Sequence, residues 1–495
     1  MNIFKLKILK VNCKRRGSAL MLVLVMVGII SMILTSLLGY ITSQVSYSKD
    51  RVERENAFQI AESGVFFYRW YLAHEISGKT AEQMENFWET TGSGCPLGVC
   101  SAYEADFNDP EGATVGRYRL EVQKPLANST ILTVKSTGWT YKKPSAKRVV
   151  QVRFRRPSWS EYLFLSNSFL NFGNQSTVYG KVHSNFGVRF DGIAYNTVSA
   201  LPARFDDPSY GGNEMEFGVH TTVNPADPKA PAYPWVLGTV PIRSDIFVGG
   251  REFPAPEVNF TSVTADFSNM KKKAQNGKGR YFDSTGLGRK IILKTNGTFD
   301  VCTVMEANKN THAITRYWKN DMSGYCTSCS ESCLSNYSII DGGVIFVENN
   351  AWVEGSISNK KITIAAANLS GAGNLADIYI GISNNNLRVS SYNCDNMLGL
   401  VAQKDVRVLN DCPSNFTVDA ALLAQTGLVG IVNGMGGKYS LVFNGAIASY
   451  LQPYFQSGNS GFADRTYNFN NNLLYCPPPY FPTGTEYFID LWDEL

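Results

Sequence analysis

The stretch that decides the fold is Lys14-Arg15-Arg16-Gly17-Ser18-Ala19, followed by an apolar run that extends to Ile41. No charged residue occurs between Ser18 and Ile41. About 24 residues at a rise of 1.5 Å each allow a helix to cross a hydrocarbon core of about 30 Å. A helix also pairs every backbone group inside that core, so the run predicts a single transmembrane helix.

Six basic residues and no acidic residue precede the run: Lys5, Lys7, Lys10, Lys14, Arg15 and Arg16. This charge bias predicts a cytoplasmic N-terminus, a single pass through the cytoplasmic membrane and export of the bulk of the chain. The formal net charge of the whole sequence is +4, and removal of these six cations leaves −2. The net positive charge of the sequence therefore comes from its N-terminal targeting segment, and we expect no nucleic-acid partner.

Three interpretations of this N-terminus are considered: a cleaved secretory signal, an uncleaved signal anchor, and a cut before the apolar run. A secretory signal has a shorter apolar core followed by small residues, whereas this run is long and ends in Gly39-Tyr40-Ile41-Thr42. A basic leader that ends in Gly17 and meets the membrane segment directly resembles a type IV prepilin. The resemblance implies cleavage after Gly17 by a membrane aspartyl prepilin peptidase and N-methylation of Ser18.

The apolar positions continue at helical spacing beyond the membrane run, so one helix is expected from Ser18 to about His74. Its first half is apolar on all sides, and its second half is amphipathic. The segment from Arg54 to Gly64 resembles the A-F-x-x-A-E-x-G/A motif of PilX-type minor pilins. The residues that recur at helical spacing on one broad apolar face are Val45, Val52, Phe58, Ile60, Ala61, Val65, Tyr68 and Leu72.

The sequence departs from the major pilins at one position. Those proteins carry Glu at the fifth residue after the cut, where its carboxylate pairs with the N-terminal amine of a neighbouring subunit and offsets a charge in an apolar fibre core. If Ser18 is the first residue, the fifth is Leu22. PilX-like and tip-type pilins also tend to lack this Glu, so Leu22 argues for a minor, priming or tip component.

The predicted fold class is α+β and mostly β, in four parts: a leader at 1–17, the helix at 18–75, a small β-rich pilin-like head at 76–157, and a β-solenoid-like extracellular domain at 158–495. Three segments of the head alternate apolar and polar residues as half-buried antiparallel strands do: Tyr118–Val122, Ile131–Ser136 and Arg148–Phe154. Arg155-Arg156-Pro157 is interpreted as a linker.

A weak internal repeat supports the solenoid. Leu400–Val408 aligns with Leu422–Gly430, 22 residues further on, and Ala446–Ser449 continues the pattern. That period suits one coil of a β-solenoid, with Leu400, Leu422 and Ile447 inward at equivalent positions. A β-sandwich is the alternative. The C-terminal third also resembles the large ectodomains behind PilX-type N-termini, through Asp419–Gln425, Phe443–Ala448 and Tyr475–Pro482.

The chain has ten cysteines, of which Cys13 lies in the leader. Export permits disulfides for the other nine, and the odd number leaves at least one unpaired or bonded between chains. The candidate disulfide residues are Cys95, Cys100, Cys326, Cys329 and Cys333. Cys326 and Cys329 have the C-x2-C spacing of zinc ligands. A zinc site needs further ligands and no second C-x2-C is present, so we predict no metal site.

No catalytic or cofactor-binding residue is predicted. Asp405, Asp411 and Asp419 are interpreted as solvated corner residues and His183 as a hydrogen-bonding corner residue, because the sequence contains no nucleophile motif, P-loop or metal-binding histidine pair.

The expected function is that of a non-enzymatic minor pilin or pseudopilin of a type IV pilus or related fibre. It would be inserted by its helix and display the β-domain for assembly, priming or surface adhesion. Its expected partners are the prepilin peptidase, other pilins, inner-membrane lipid and a surface or glycan ligand. The alternatives are a cell-surface β-solenoid adhesin on an uncleaved anchor and a surface glycan-processing enzyme.

Overall fold

The computed structural model describes residues 18–76, 79, 81–89, 102–125, 129–210, 214–236, 238–260, 264–318, 325–326, 336–371, 374–484 and 486–495. The α-helices within these residues are α1 (Ser18–Glu75), α2 (Ala81–Glu89) and α3 (Thr264–Gln275). Short 3-10 helices lie at Trp159–Glu161 and Asn471–Leu474.

The strands of the described residues are, in chain order, β1 (Tyr103–Asn108), β2 (Thr114–Gln123), β3 (Ile131–Thr140), β4 (Arg148–Arg155), β5 (Phe164–Ser166), β6 (Leu170–Phe172), β7 (Ser176–Tyr179), β8 (Val182–Ser184), β9 (Val188–Phe190), β10 (Ile193–Ala194), β11 (Val198–Ala200), β12 (Arg204–Phe205), β13 (Glu216–Phe217), β14 (Val219–His220), β15 (Arg251–Glu252), β16 (Gly279–Phe282), β17 (Gly288–Leu293), β18 (Thr298–Ala307), β19 (Ile314–Trp318), β20 (Tyr325–Cys326), β21 (Tyr337–Ser338), β22 (Gly343–Val347), β23 (Asn350–Ile357), β24 (Lys361–Ala366), β25 (Ile378–Ile380), β26 (Leu387–Val389), β27 (Met397–Ala402), β28 (Val406–Val408), β29 (Asn415–Ala424), β30 (Val429–Ile431), β31 (Gly437–Ser449), β32 (Gln456–Ser457), β33 (Ser460–Phe469) and β34 (Phe488–Glu494).

Helix α1 is continuous across the predicted span, and its two halves have different surroundings. The first buried side chain along it is Ala57, and the side chains of residues 19–56 are exposed or half-buried. Val45 and Val52 belong to the apolar face identified in the sequence, but both are exposed. The amphipathic pattern therefore produces a buried face only from Ala57 onward, where the helix has a sheet to pack against.

That partner is an antiparallel sheet with the strand order β1-β2-β3-β4-β34, which we call the small sheet. Side chains of β3 alternate strictly between half-buried and buried positions, as the period-2 pattern of the sequence predicts. The strands β2, β3 and β4 contain the three segments predicted for the head. Helix α1 covers one face of the sheet, and the shared core includes Ile60, Val65, Leu132, Val150 and Phe154.

The last strand corrects the predicted division of the chain. Residues 158–495 were predicted to form one domain, but β34 pairs antiparallel with β4, from Phe488 opposite Arg155 to Glu494 opposite Val150. Arg153 Nε donates to Asp490 Oδ2 (2.7 Å) across the same pair. The C-terminus thus returns to the small sheet, and the chain between β4 and β34 is an insertion.

The two passes between the small sheet and this insertion run side by side. Trp159 N donates to Pro482 O (3.1 Å), and Gly484 N donates to Pro157 O (2.7 Å). The segment predicted as a linker at Arg155–Pro157 is therefore paired with the returning chain. Two hydrogen-bonded passes constrain the connection more than a single linker does.

Most strands of the insertion pair in parallel, and we call this set of strands the parallel ladder. Leu400 lies opposite Leu422, and Leu422 lies opposite Ile447, as the internal repeat predicts. The same in-register column continues in both directions, and all of its side chains are buried: Ile345, Ile364, Leu400, Leu422, Ile447, Phe164, Val182 and Val198. The burial of one apolar side chain per repeat builds a continuous core.

The order of strands in that column differs from their order in the chain. Ile447 pairs with Phe164, so the insertion begins in the middle of the ladder. Strands β8 and β11 extend it on one side of β5, while β31, β29 and β27 extend it on the other. Late and early segments of the insertion are therefore direct neighbours in the core.

The confirmed fold class is a long N-terminal apolar helix followed by mostly β structure arranged in sheets. Helix α3 packs Phe267 and Met270 onto Val344 and Phe346 outside the ladder.

A charge placed in the ladder core tests this register. Leu422→Asp would bury a carboxylate between Leu400 and Ile447, at a cost of several kcal/mol. We expect a lower melting temperature and rapid proteolysis of the insertion in the full chain in detergent micelles. Lys404→Ala is the control, because the Lys404 side chain is 49% exposed and its surface ion pair contributes about 0–1 kcal/mol. Equal melting of the two variants would contradict the register.

Candidate functional site

The first candidate site is the free half of α1. Among the described residues, only the helix Ala19–Glu75 is long and apolar enough to cross a membrane, judged by length and composition, and none of its most apolar window is buried in the protein. Leu20, Leu24 and Leu34 are each more than half exposed. A large exposed apolar surface of this kind is typical of a membrane or protein interaction site.

The second candidate site is the contact between α1 and β3, which we call the seam. A Cβ atom built at Gly138 would lie 2.3 Å from Ala57 O and 2.4 Å from Ala61 N. One built at Gly64 would lie 2.5 Å from Ser136 Oγ. The helix and sheet backbones can approach this closely because these positions are Ala or Gly.

The seam explains the motif singled out in the sequence. Ala57, Ala61 and Gly64 are its small residues, and their spacing of four and three places them on one helical face. All three are buried. The motif is therefore the footprint of the small sheet on α1, while Phe58 packs at the edge of the same core.

Polar contacts flank the seam on the side nearer the free half of α1. Thr140 Oγ1 donates to Glu53 Oε2 (2.6 Å), and Lys143 forms an ion pair with Asp50. At the other end, burial raises the pKa of Tyr68, so this phenol stays protonated in the core. The helix is thus attached to the sheet by both packing and side-chain bonds.

Only one of the two residues of the predicted processing site is described by the structure. Gly17 lies outside the described residues, and Ser18 is the first residue of α1. Leu22, the position where major pilins carry Glu, is exposed on the free half of the helix.

The cysteine predictions and the observed disulfide concern different residues. Cys95, Cys100, Cys329 and Cys333 lie outside the described residues, and Cys326 belongs to β20 with no described side chain. The disulfide between Cys394 and Cys476 was not predicted, because these residues are 82 residues apart and no motif links them. Cys302 is also disulfide-bonded, and Cys412 is a buried free thiol.

The interpretation of the three aspartates as solvated corners is wrong for two of them. Asp405 and Asp419 are buried, while Asp411 is exposed. Arg388 Nε donates to Asp419 Oδ2 (2.7 Å), and Arg407 Nη2 donates to Asp405 Oδ2 (3.2 Å). These carboxylates are therefore parts of two separate ion pairs, with Asp419 on β29 and Asp405 in the turn between β27 and β28.

His183 forms hydrogen bonds as predicted, but it lies within strand β8 and not at a corner. Its Nδ1 lies 3.0 Å from Ser199 Oγ, and its Nε2 lies 3.2 Å from Asn185 Oδ1. Burial lowers its pKa, which favours the neutral ring. Within the described residues, no three His, Cys, Asp or Glu side chains come together as metal ligands.

No protein-family model and no curated protein matches the chain. Among solved structures, the chain is similar to the competence-associated pilin ComZ from Thermus thermophilus, at 16% identity over 90% of this chain and 98% of that chain, with a TM-score of 0.30. A likeness at this TM-score supports no inference about fold or function.

Gly138→Ala tests the seam. The added methyl group would overlap the backbone of α1, and overpacking of this kind typically costs about 1–3 kcal/mol. We expect a lower melting temperature and easier proteolysis of the small sheet. The matched control is Gly39→Ala, since a Cβ there meets no atom within 4 Å. A Gly138→Ala protein as stable as the control would contradict the close approach.

Proposed function

We propose that this chain is a minor pilin or pseudopilin of a type IV pilus or related fibre. The observation that carries the proposal is the construction of α1, whose first half is exposed and apolar while its second half is built into a small antiparallel sheet. A helix of this kind can leave the bilayer for a fibre made of similar helices without a change in its head. The prepilin-type leader of the sequence points to the same role.

We propose a low copy number because of Leu22. A charged amine in an apolar fibre core is costly unless a carboxylate pairs with it. A subunit with Leu at this position has no carboxylate that could pair with the N-terminal amine of a neighbouring subunit. Assembly at an end of the fibre, as a priming or tip subunit, requires fewer of these contacts than assembly within the shaft.

The proposed role of the insertion is display. We infer that the parallel ladder winds as a β-solenoid, an inference supported by the in-register column through Leu400, Leu422 and Ile447. The two ends of the insertion are connected to the small sheet at adjacent positions, where the two passes of the chain are hydrogen-bonded to each other. A large domain carried in this way leaves the pairing of β2, β3 and β4 intact, so the head can pack in a fibre while the ladder projects outward.

The disulfides support export. Cys394 and Cys476 are bonded, and such bonds persist in oxidising compartments and are rare in the cytosol. Together with the basic residues before the apolar run, this favours a cytoplasmic N-terminus and an exported head. We propose no catalytic activity, because the buried aspartates have structural ion-pair partners.

The first test is processing. If Gly17 ends a prepilin leader, the mature chain begins at a methylated Ser18, and Gly17→Glu blocks the cut. Intact-mass and N-terminal peptide measurements on the chain from its native membrane decide this. A mature chain that begins at Met1 would favour the uncleaved anchor, and one that begins after Thr42 would favour a secreted protein.

The second test is abundance. Quantitative mass spectrometry of sheared fibres should detect this chain far below the major pilin, because Leu22 disfavours repeated stacking in the shaft. Leu22→Glu should raise its incorporation, with Leu24→Glu as a control that adds the same charge at the wrong position. Near-equal abundance of the natural chain and the major pilin would contradict the minor role.

A further inference from the structure

The insertion buries a lysine beside a glutamate on two neighbouring strands of the parallel ladder. Lys290 on β17 is 5% exposed, and Glu354 on β23 is 3% exposed. Lys290 Nζ lies 2.8 Å from Glu354 Oε1. A buried ion pair is weak evidence for stability, because the desolvation of both ions offsets their attraction. The pair therefore invites a chemical explanation as well as a structural one.

An asparagine side chain bonds the second oxygen of the same carboxylate. Asn385 lies in the turn between β25 and β26, and its Nδ2 donates to Glu354 Oε2 (3.1 Å). Glu354 thus accepts a hydrogen bond from the amine of Lys290 through one oxygen and from a primary amide through the other. One carboxylate therefore brings an amine and an amide together in the core of the insertion.

The turn that carries Asn385 is held in an uncommon conformation. Ser383 and Asn384 have positive φ values of 51° and 58°, which cost energy for residues other than glycine. Asn384 N donates to Asp411 O (2.8 Å), and Ser383 Oγ accepts a hydrogen bond from Lys290 Nζ (3.2 Å). The turn thus bonds the buried ion pair at two points, through Ser383 and Asn385.

A tyrosine from another strand covers the amine. Tyr317 on β19 is 7% exposed, and Lys290 Nζ lies 5.9 Å from the centroid of its ring. Burial raises the pKa of the Tyr317 hydroxyl group, which is also hydrogen-bonded to Lys290, so this phenol stays neutral. In such surroundings, proton transfer from Lys290 to Glu354 removes two buried charges at once, which burial favours.

We propose that Lys290 and Asn385 become joined by an intramolecular isopeptide bond, with Glu354 as the acid and base. Glu354 accepts a proton from the ammonium group, and the neutral amine attacks Cγ of Asn385. The Nζ–Cγ bond forms and the Cγ–Nδ2 bond breaks. Nζ gives up two protons, which Glu354 passes to Nδ2, so that this nitrogen leaves as an ammonium ion and the carboxylate is restored. No electrons are gained or lost.

The geometry of Glu354 supports this role. A group that moves protons in a reaction has to lie within hydrogen-bond reach of the atoms that lose and gain them. Glu354 meets this condition for both the attacking nitrogen (2.8 Å) and the leaving nitrogen (3.1 Å). The bond would connect β17 to the turn after β25 across β23, which pairs with both strands. Three neighbouring strands would thereby be closed by a covalent link.

This inference goes beyond the proposed function and does not depend on it, because the reaction takes place within the insertion and needs no other subunit. The test is peptide mass spectrometry of the full chain, purified in detergent micelles, reduced and digested with trypsin. We expect a branched peptide that contains both Lys290 and Asn385 and is lighter than the sum of its two parts by one molecule of ammonia. Trypsin should not cleave after the acylated Lys290.

Two variants identify the reacting groups. Asn385→Ala should lack the branched peptide, and it should fold because Asn385 is exposed in its turn. Its control is Asn459→Ala, which removes an exposed amide elsewhere in the insertion and should leave the branched peptide unchanged. Glu354→Gln keeps the shape of the side chain but removes its ability to accept the proton, so this variant should yield two separate peptides.

The result for the natural chain and for Asn385→Ala decides the question even if Glu354→Gln does not fold. The proposal is overturned if the natural chain yields Lys290 and Asn385 only in separate peptides. It is also overturned if the ammonia is lost within the Asn385 peptide alone, as in succinimide formation, or if a folded Glu354→Gln variant forms the branched peptide as completely as the natural chain does.

Discussion

The close approach of α1 to β3 is the contact on which the rest of the structure depends. Ala57, Ala61 and Gly138 bring two backbones together at distances that no larger side chain permits. Because interiors are close-packed, an added methyl group there has to displace the helix or the sheet. The seam therefore fixes the direction in which the exposed apolar half of α1 leaves the head.

The small sheet that receives α1 is made from both ends of the chain. Strands β1 to β4 follow the helix in the chain, and β34, which follows the insertion, adds a fifth strand. Non-local pairing of this kind is slow to form, since the entropy of loop closure must be overcome before the strand pair contributes. In return, the insertion is held at both of its ends, and force on the ladder is shared between two hydrogen-bonded passes.

Local periodicity predicted the elements with regular neighbours. The apolar run and the helical spacing of the apolar residues after it predicted the span of α1. Alternation predicted the strands of the head, and the Leu400–Leu422 repeat predicted the register of these residues in the ladder. The predicted face of α1 extended too far, to Val45, because amphipathicity shows which side of a helix is apolar but not where its partner begins.

Long-range partners could not be predicted in the same way. Nothing near Phe164 or Ile447 indicates that they pair, and nothing near Phe488 indicates β4 as its neighbour. Cys394 and Cys476 are likewise brought together by the ladder and not by their spacing. The burial of Asp419 was missed because a charged residue in a strand looks solvent-facing until its neighbours in space are known.

Hydrogen exchange of the full chain in detergent micelles tests the seam most directly. If α1 and the small sheet form one cooperative unit, the amides of Ala57–Leu72, β3, β4 and β34 exchange slowly and lose protection together as denaturant is added. Gly138→Ala should lower the protection of all four segments by a similar factor. Independent exchange of β34 or of Ala57–Leu72, with β3 still protected, would contradict the account.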